Sequence, residues 1–166
     1  MVELRLFLNA PRFEDMDIRK YREADRQALI DFWALVFPPN APHNDPELSL
    51  AAKLEYDDGI FVATNTEGIV GSAMVGYDGH RGWLYSVGVH PNLRMQGIGL
   101  ALVTRACEHL KHVGCMKINL QVRTHNEAVV KLYAAAGFLI EDMISMGMRL
   151  PVRELIGTQI GPPIQD

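Results

Sequence analysis

Arg94, Gly97 and Gly99 stand in the run YSVGVHPNLRMQGIGLAL, residues 85–102, at a spacing that suits the capture of an anion. Glycine costs about 1 kcal/mol relative to alanine inside a helix, so two glycines at a helix start need a reason. One reason is a ligand that must approach the bare N–H groups of the first turn. Those unpaired amides and the helix dipole favour negative charge there, above all phosphate. Arg94 adds a planar cation beside the turn. Two common phosphate loops are excluded by their spelling. A Walker A loop needs GxxxxGK followed by Ser or Thr, and the chain has no such string. A dinucleotide fingerprint needs a third glycine where Leu102 stands, and an acid about 20 residues on, near Asn119.

A strand and a helix must hold that turn. Tyr85, Val87 and Val89 alternate with Ser86 and Gly88, a strand pattern that Pro91-Asn92 ends. Gly88 inside it marks a bulge or a close backbone approach. From Gly97, apolar residues recur at Ile98, Leu102, Ala106, Leu110 and Val113, one helical face that Gly114 stops. Upstream, Val2, Leu4, Leu6 and Leu8 alternate in an N-terminal extension, residues 1–16. Residues 17–21 read as a strand and 23–36 as a helix, with Asp25 in its first turn and Ala28, Leu29, Phe32, Trp33 and Val36 on one face. FPPNAPHNDP is a loop, and Asp45-Pro46 starts a second helix over 47–56. Strands at 60–64, 69–77 and 83–89, joined by the turns 65–68 and 78–82, form a meander. After the central helix come a strand at 116–122, a helix at 126–136 and strands at 138–142 and 144–150. A tail follows at 151–166. The expected fold is α/β (α+β), a mixed, mostly antiparallel sheet of about seven strands flanked by about four helices.

With 166 residues the chain is read as one domain. Its net charge of −4 and pI near 5.8 argue against nucleic acid as a partner. Cys107 and Cys115 are too few for a disulfide framework and fit a reducing compartment. No apolar run approaches the ~18 residues of a membrane span, and Glu3 and Arg5 break the opening apolar stretch, so it is not read as a secretory signal. The expectation is a cytoplasmic protein with no membrane partner.

Val89-His90-Pro91 followed by Arg94-Met95-Gln96-Gly97-Ile98-Gly99 resembles the Arg/Gln-x-x-Gly-x-Gly/Ala motif of the GNAT acetyltransferases. Downstream, Asn126-Glu127-Ala128…Leu132-Tyr133…Gly137-Phe138 is similar to the second signature of that family. The resemblance covers residues 17–150, and segments 76–82 and 43–46 resemble the branch called YpeA-like. Met95 departs from the pattern, since glycine is usual there; its amide survives, but its side chain must point away from the ligand. The resemblance implies acetyl-CoA as acetyl donor and a sheet whose central strands splay apart. The pyrophosphate would lie on the amides of Met95, Gln96, Gly97, Ile98, Gly99 and Leu100, with Arg94 as a phosphate partner. The pantetheine arm would pair with Val87, Gly88 and Val89, and Asn126 would make a polar contact to the same molecule. Tyr133 would be the general acid. The implied reaction is direct attack by a primary amine of a small molecule or protein, without an acyl-enzyme. A non-catalytic acyl-CoA sensor on the same fold is the alternative. Oligomeric state stays open, a homodimer included.

Such a transfer needs a deprotonated amine, and a lysine-like amine titrates near ~10.4. It also needs an oxyanion donor, worth roughly 3–4 kcal/mol. An amide freed by a bulge at Gly88-Val89 is the candidate donor. For the base, Tyr85, Asp78, Glu55, His80 or a held water are candidates, and each side chain singly reads more readily as a solvated turn or surface residue. Asp45 and Asp78, on the segments expected to border the acceptor, suit a cationic amine or are ordinary turn aspartates. His109 and His112 have a metal-holding spacing but no third ligand, so no metal site is expected. Cys115, with no activating neighbour in sequence, reads as a small buried residue.

Overall fold

The computed structural model describes residues 16–37 and 44–148. Five strands form one sheet in the order β1 (Asp17–Lys20), β2 (Ile60–Asn65), β3 (Gly68–Tyr77), β4 (Gly82–Val89) and β5 (Ile118–Asn119). Neighbours are antiparallel except for β4 and β5. The helices are α1 (Arg26–Val36), α2 (Pro46–Tyr56), α3 (Ile98–His112) and α4 (Glu127–Ala135). The meander closes through local chemistry. Asn65 Oδ1 accepts from Glu67 N at 2.8 Å in the β2–β3 turn, and Asp78 Oδ1 accepts from His80 N and Arg81 N at 2.8 and 2.7 Å in the β3–β4 turn. A parallel pair needs a longer connection, and α3 supplies it between β4 and β5.

Residues of a strand alternate between its faces, and β2 buries both. Ile60 and Val62 pack with Leu29, Phe32, Trp33 and Leu50 of α1 and α2. Phe61 and Ala63 pack with Ile98, Leu102, Ala106 and Leu110 of α3. The sheet is thus a middle layer with α1 and α2 on one face and α3 on the other.

Several expectations need correction. The first helix starts at Arg26, after a 3-10 turn at Glu23–Asp25. Asp25 makes no side-chain cap on α1. Its carboxylate instead takes two hydrogen bonds from Arg19, at 2.6 and 2.8 Å, and one from Arg22 N at 2.8 Å. The Arg19 hydrogen bonds hold that carboxyl below the usual aspartate range.

The described sheet has five strands, not about seven. The strand expected over 116–122 is only Ile118–Asn119, and none forms over 138–148. The apolar alternation there is real, but a strand also needs a ladder to join. β5 offers a ladder of two residues. Residues 138–148 instead touch its flanks through side chains, Lys117 Nζ to Glu141 Oε1 at 2.6 Å and Gln121 to Ser145. Leu139, Ile140, Met143, Ile144, Met146 and Met148 are left at least three-quarters exposed. The strand pattern at 2–8, residues 38–43 of the proline-rich loop, the end of the last expected strand and the tail at 151–166 lie outside the described residues.

Candidate active site

The glycine turn forms as its sequence demands. His90 and Pro91–Leu93 make a 3-10 turn anchored by buried Leu93, and His90 Nδ1 accepts from Asn92 N at 3.3 Å. Met95 then has φ +62° and Gly97, the residue before α3, has φ +85°. Left-handed residues next to ordinary ones turn successive N–H groups into a shared concavity for an anion. The first N–H donating to a backbone acceptor is that of Ala101, to Gly97 O at 3.0 Å. Residues 95–100 therefore present six consecutive N–H groups without an acceptor among the described residues. Arg94 is exposed beside them and donates weakly to Val89 O at 3.4 Å. Met95 is 98% exposed.

Strand β4 is opened twice. Its ladder with β5 contains only Gly82↔Ile118 and Trp83↔Asn119, so residues 84–89 have no strand partner on that side among the described residues. On its other side a one-residue bulge places Ser86 and Val87 opposite Ala73, between Met74↔Tyr85 and Ser72↔Gly88. The expected bulge at Gly88-Val89 thus lies two residues earlier, at Ser86, whose φ is +45°. Gly88 has a different task. A Cβ there would stand 2.8 Å from Phe37 Cζ and 3.2 Å from Val36 Cγ2, so glycine lets the end of α1 lie on β4. Gly99 likewise admits a neighbour, because a Cβ there would stand 3.3 Å from Leu132 Cδ2 of α4.

These elements surround a cleft of about 1510 Å³. Single-ligand pockets run to roughly 1,000 Å³, so there is room for two substrates. Val87, Gly88, Val89, Arg94, Met95, Gly97, Ile98, Gly99, Leu100, Asn126 and Tyr133 all line it. Gln96 is exposed and does not. Asn126 begins α4 and its Oδ1 accepts from Val129 N at 3.4 Å, a cap that sequence reading assigned to ligand contact alone. Tyr133 is 9% exposed, with its ring edge-on to Phe138 at 5.6 Å. Its hydroxyl has no partner among the described residues, yet is not a fully buried orphan, so it opens to the cleft. Burial, with Cys107 nearby, pushes its pKa up to about 12.

Of the base candidates only Tyr85 lines the cleft. Burial, then Asp78, raises its pKa further, so its phenol keeps its proton at neutral pH. Asp78 is held below the usual range by the N–H groups of Arg81 and His80 and serves its turn. Glu55 and His80 are exposed and do not line the cleft. Asp45 caps α2, accepting from Leu48 N at 2.9 Å. Trp33, Phe37, Trp83 and Tyr85 give the β4 end an aromatic wall, with Trp83 and Tyr85 stacked at 6.3 Å. His109 lies edge-on to Phe61 at 5.4 Å, and no group of three or more His, Cys, Asp or Glu side chains gathers among the described residues. Cys115 packs at the core and donates to Lys117 O at 3.2 Å. No helix among the described residues is long and apolar enough to cross a membrane.

Sequence reading missed Ser72. It is fully buried, accepts from Trp33 Nε1 at 2.8 Å and donates to Ser86 O at 3.2 Å. The one signal was a lone hydroxyl in the apolar run of β3, VGSAMV.

Known proteins agree with this architecture. The model of the Acetyltransferase (GNAT) family matches residues 26–138. An acetyltransferase of Pectobacterium atrosepticum is 43% identical over 136 residues, covering 81% of this chain and 96% of that protein. One from Yersinia enterocolitica is 40% identical over 138 residues, covering 82% and 97%. Among solved structures, AAC(6')-Iy in complex with the bisubstrate analogue CoA-S-monomethyl-acetylneamine matches with a TM-score of 0.66 at 20% identity, over 81% of this chain and 99% of that one. The Escherichia coli ribosomal-protein-S18-alanine N-acetyltransferase matches with a TM-score of 0.63 at 21% identity, over 74% and 76%. Identities that low speak for the fold alone. The family match over most of the chain and relatives at 40% identity or more decide the assignment: the chain belongs to the GNAT acetyltransferase family.

Proposed function

We propose that this protein transfers the acetyl group of acetyl-CoA to an amine by direct attack, within a catalytic unit spanning residues 17–150. The observation that carries the reading is the run of six unpaired N–H groups at 95–100, five of whose residues (all but Gln96) line the same cleft as the freed edge of β4 and Tyr133. Those amides and Arg94 are a donor set suited to a pyrophosphate. Gln96 contributes its amide only. The unpartnered edge of β4 at Val87 and Val89 suits the amide-bearing arm of the donor, while Gly88 serves by seating Phe37. Asn126 divides its side chain, Oδ1 capping α4 and the NH2 group facing ligand.

Acetyl-CoA supplies an activated acyl group; the chain supplies position and protons. A peptide is planar and trans, so its C=O and N–H point in opposite directions. Ser86 O accepts from Ser72, so the N–H of Val87 points away from Ser72. It is the donor for the charge that develops on the acetyl oxygen. Tyr133, protonated through the physiological range, gives its proton to the departing sulfur. With no carboxylate base among the described lining residues except Glu127 at the head of α4, the amine sheds its proton to water. Turnover therefore rises with pH towards the acceptor's own pKa. The aromatic wall suits an amine borne on an apolar body. Segments 76–82 and 43–46 support the YpeA-like branch.

The deciding experiment is calorimetric titration with acetyl-CoA followed by CoA release against a panel of amines and peptides. Binding with release on at least one acceptor is expected. Binding without release on any would favour the sensor reading.

A further inference from the structure

A buried chain of hydrogen bonds reaches the bulge of β4 from two other elements. Trp33 Nε1, on α1, donates to Ser72 Oγ on β3 at 2.8 Å, and the Ser72 hydroxyl donates to Ser86 O on β4 at 3.2 Å. Trp33 is 3% exposed and Ser72 is 0% exposed, so water does not compete at that hydroxyl. Ser72 is the one buried polar side chain in the described core, and its two partners use its one donor and one of its two acceptor sites. A buried hydroxyl placed this way costs stability unless both bonds form. Ser86, at the receiving end, has φ +45°, a backbone state that a side-chain-bearing residue enters at a cost. The relay also lies beside the contact of Phe37 and Val36 with Gly88, so α1 grips the bulge at two points two residues apart.

We propose that Trp33 and Ser72 are positioning residues for the transfer step. They fix the Ser86 carbonyl, and through the planar Ser86–Val87 peptide they fix the direction of the Val87 N–H. This rests on the acetyltransferase reading, in which that N–H meets the acetyl oxygen. Ser72, fully buried and outside the cleft lining, touches no substrate. Trp33 and Phe37 also line the cleft, so α1 and its C-cap both wall the cleft and brace the bulge of β4.

Ser72→Ala removes both bonds with little change of volume. Expected is a fall in kcat of about 10- to 100-fold, part of the 10²–10³ that a lost oxyanion donor costs. The dissociation constant of acetyl-CoA should stay within about twofold, since the 95–100 amides are untouched. Trp33→Phe leaves the Ser72 hydroxyl able to reach Ser86 and should cost less, and the double variant should fall no further than Ser72→Ala, because the two act in series. Ser72→Thr restores the hydroxyl and should recover kcat. Independently of turnover, the carbonyl 13C shift of Ser86 should move in Ser72→Ala and return in Ser72→Thr. An unmoved shift overturns the relay whatever the activity. A moved shift with kcat within twofold of wild type overturns the positioning role, as do kcat and affinity falling together. A wild-type protein that binds acetyl-CoA but acetylates nothing would sink the acetyltransferase reading itself and the positioning role with it. In that case the Ser86 shift would still report whether Ser72 holds the bulge.

Discussion

Ser86 and Met95 are the two non-glycine residues with positive φ among the described residues, at +45° and +62°, and both line one cleft. Their settings differ. Ser86 sits in a strand, its carbonyl held by a buried hydroxyl that is held in turn by an indole. Met95 sits in a turn, 98% exposed, with no hydrogen bond of its own among the described residues. Each conformation costs about 1–2 kcal/mol, but only one is braced from behind. A braced bend gives a fixed dipole, as charge stabilisation requires. An unbraced bend leaves N–H groups in water, to be satisfied by whatever anion arrives. On the function proposed above, the bend in the strand serves the chemistry and the bend in the turn serves binding.

If so, damage to the two functions reads out in different constants. The largest effect belongs to Tyr133→Phe, which keeps the ring against Phe138 and removes the hydroxyl. Its kcat should fall by roughly 10²–10⁴, with acetyl-CoA affinity unchanged; turnover within a factor of two of wild type would return Tyr133 to the core. Next is Gly97→Val at the turn. A β-branched residue strains φ +85° and crowds the anion's approach. Calorimetry should show acetyl-CoA bound at least about tenfold more weakly, near 1.4 kcal/mol, and unchanged affinity in a folded protein would move the pocket elsewhere. The smallest change is Met95→Gly. It lifts the left-handed penalty, offset by the freer unfolded chain, so denaturation should show a gain below about 1 kcal/mol. Affinity should stay within about threefold; a larger loss would mean that the thioether itself contacts the ligand.

What was legible in the sequence was whatever one segment decides alone. The apolar runs of β2 and β3 between their turns, the apolar face of α3 and the Gly97 turn depend on neighbours a few residues away, and they fold where the pattern puts them. What was not legible depends on pairs far apart in the chain. Ser72 and Trp33 are 39 residues apart. Gly88 read as a site for a ligand's approach, but its space belongs to Phe37. The bulge was displaced by two residues because a bulge is a mismatch between two strands, and neither strand spells it. The apolar residues over 138–148 read as strands, but a ladder needs a second party and β5 supplied two residues of one. Of the cleft lining, Arg94, Gly97, Gly99 and Tyr133 came from their strings. The brace behind the bulge had no string to be read.

Gly99 leaves room for Leu132, whose Cδ2 would stand 3.3 Å from any Cβ at position 99, and Leu132 directly precedes Tyr133. The second glycine of the turn therefore sets how near α4 approaches α3, and with it how far the phenol sits from the turn. In a diverging lineage these two positions are one inherited trait rather than two. A lineage that enlarges residue 99 must shrink residue 132 in step, or shift α4 and the Tyr133 phenol that it carries.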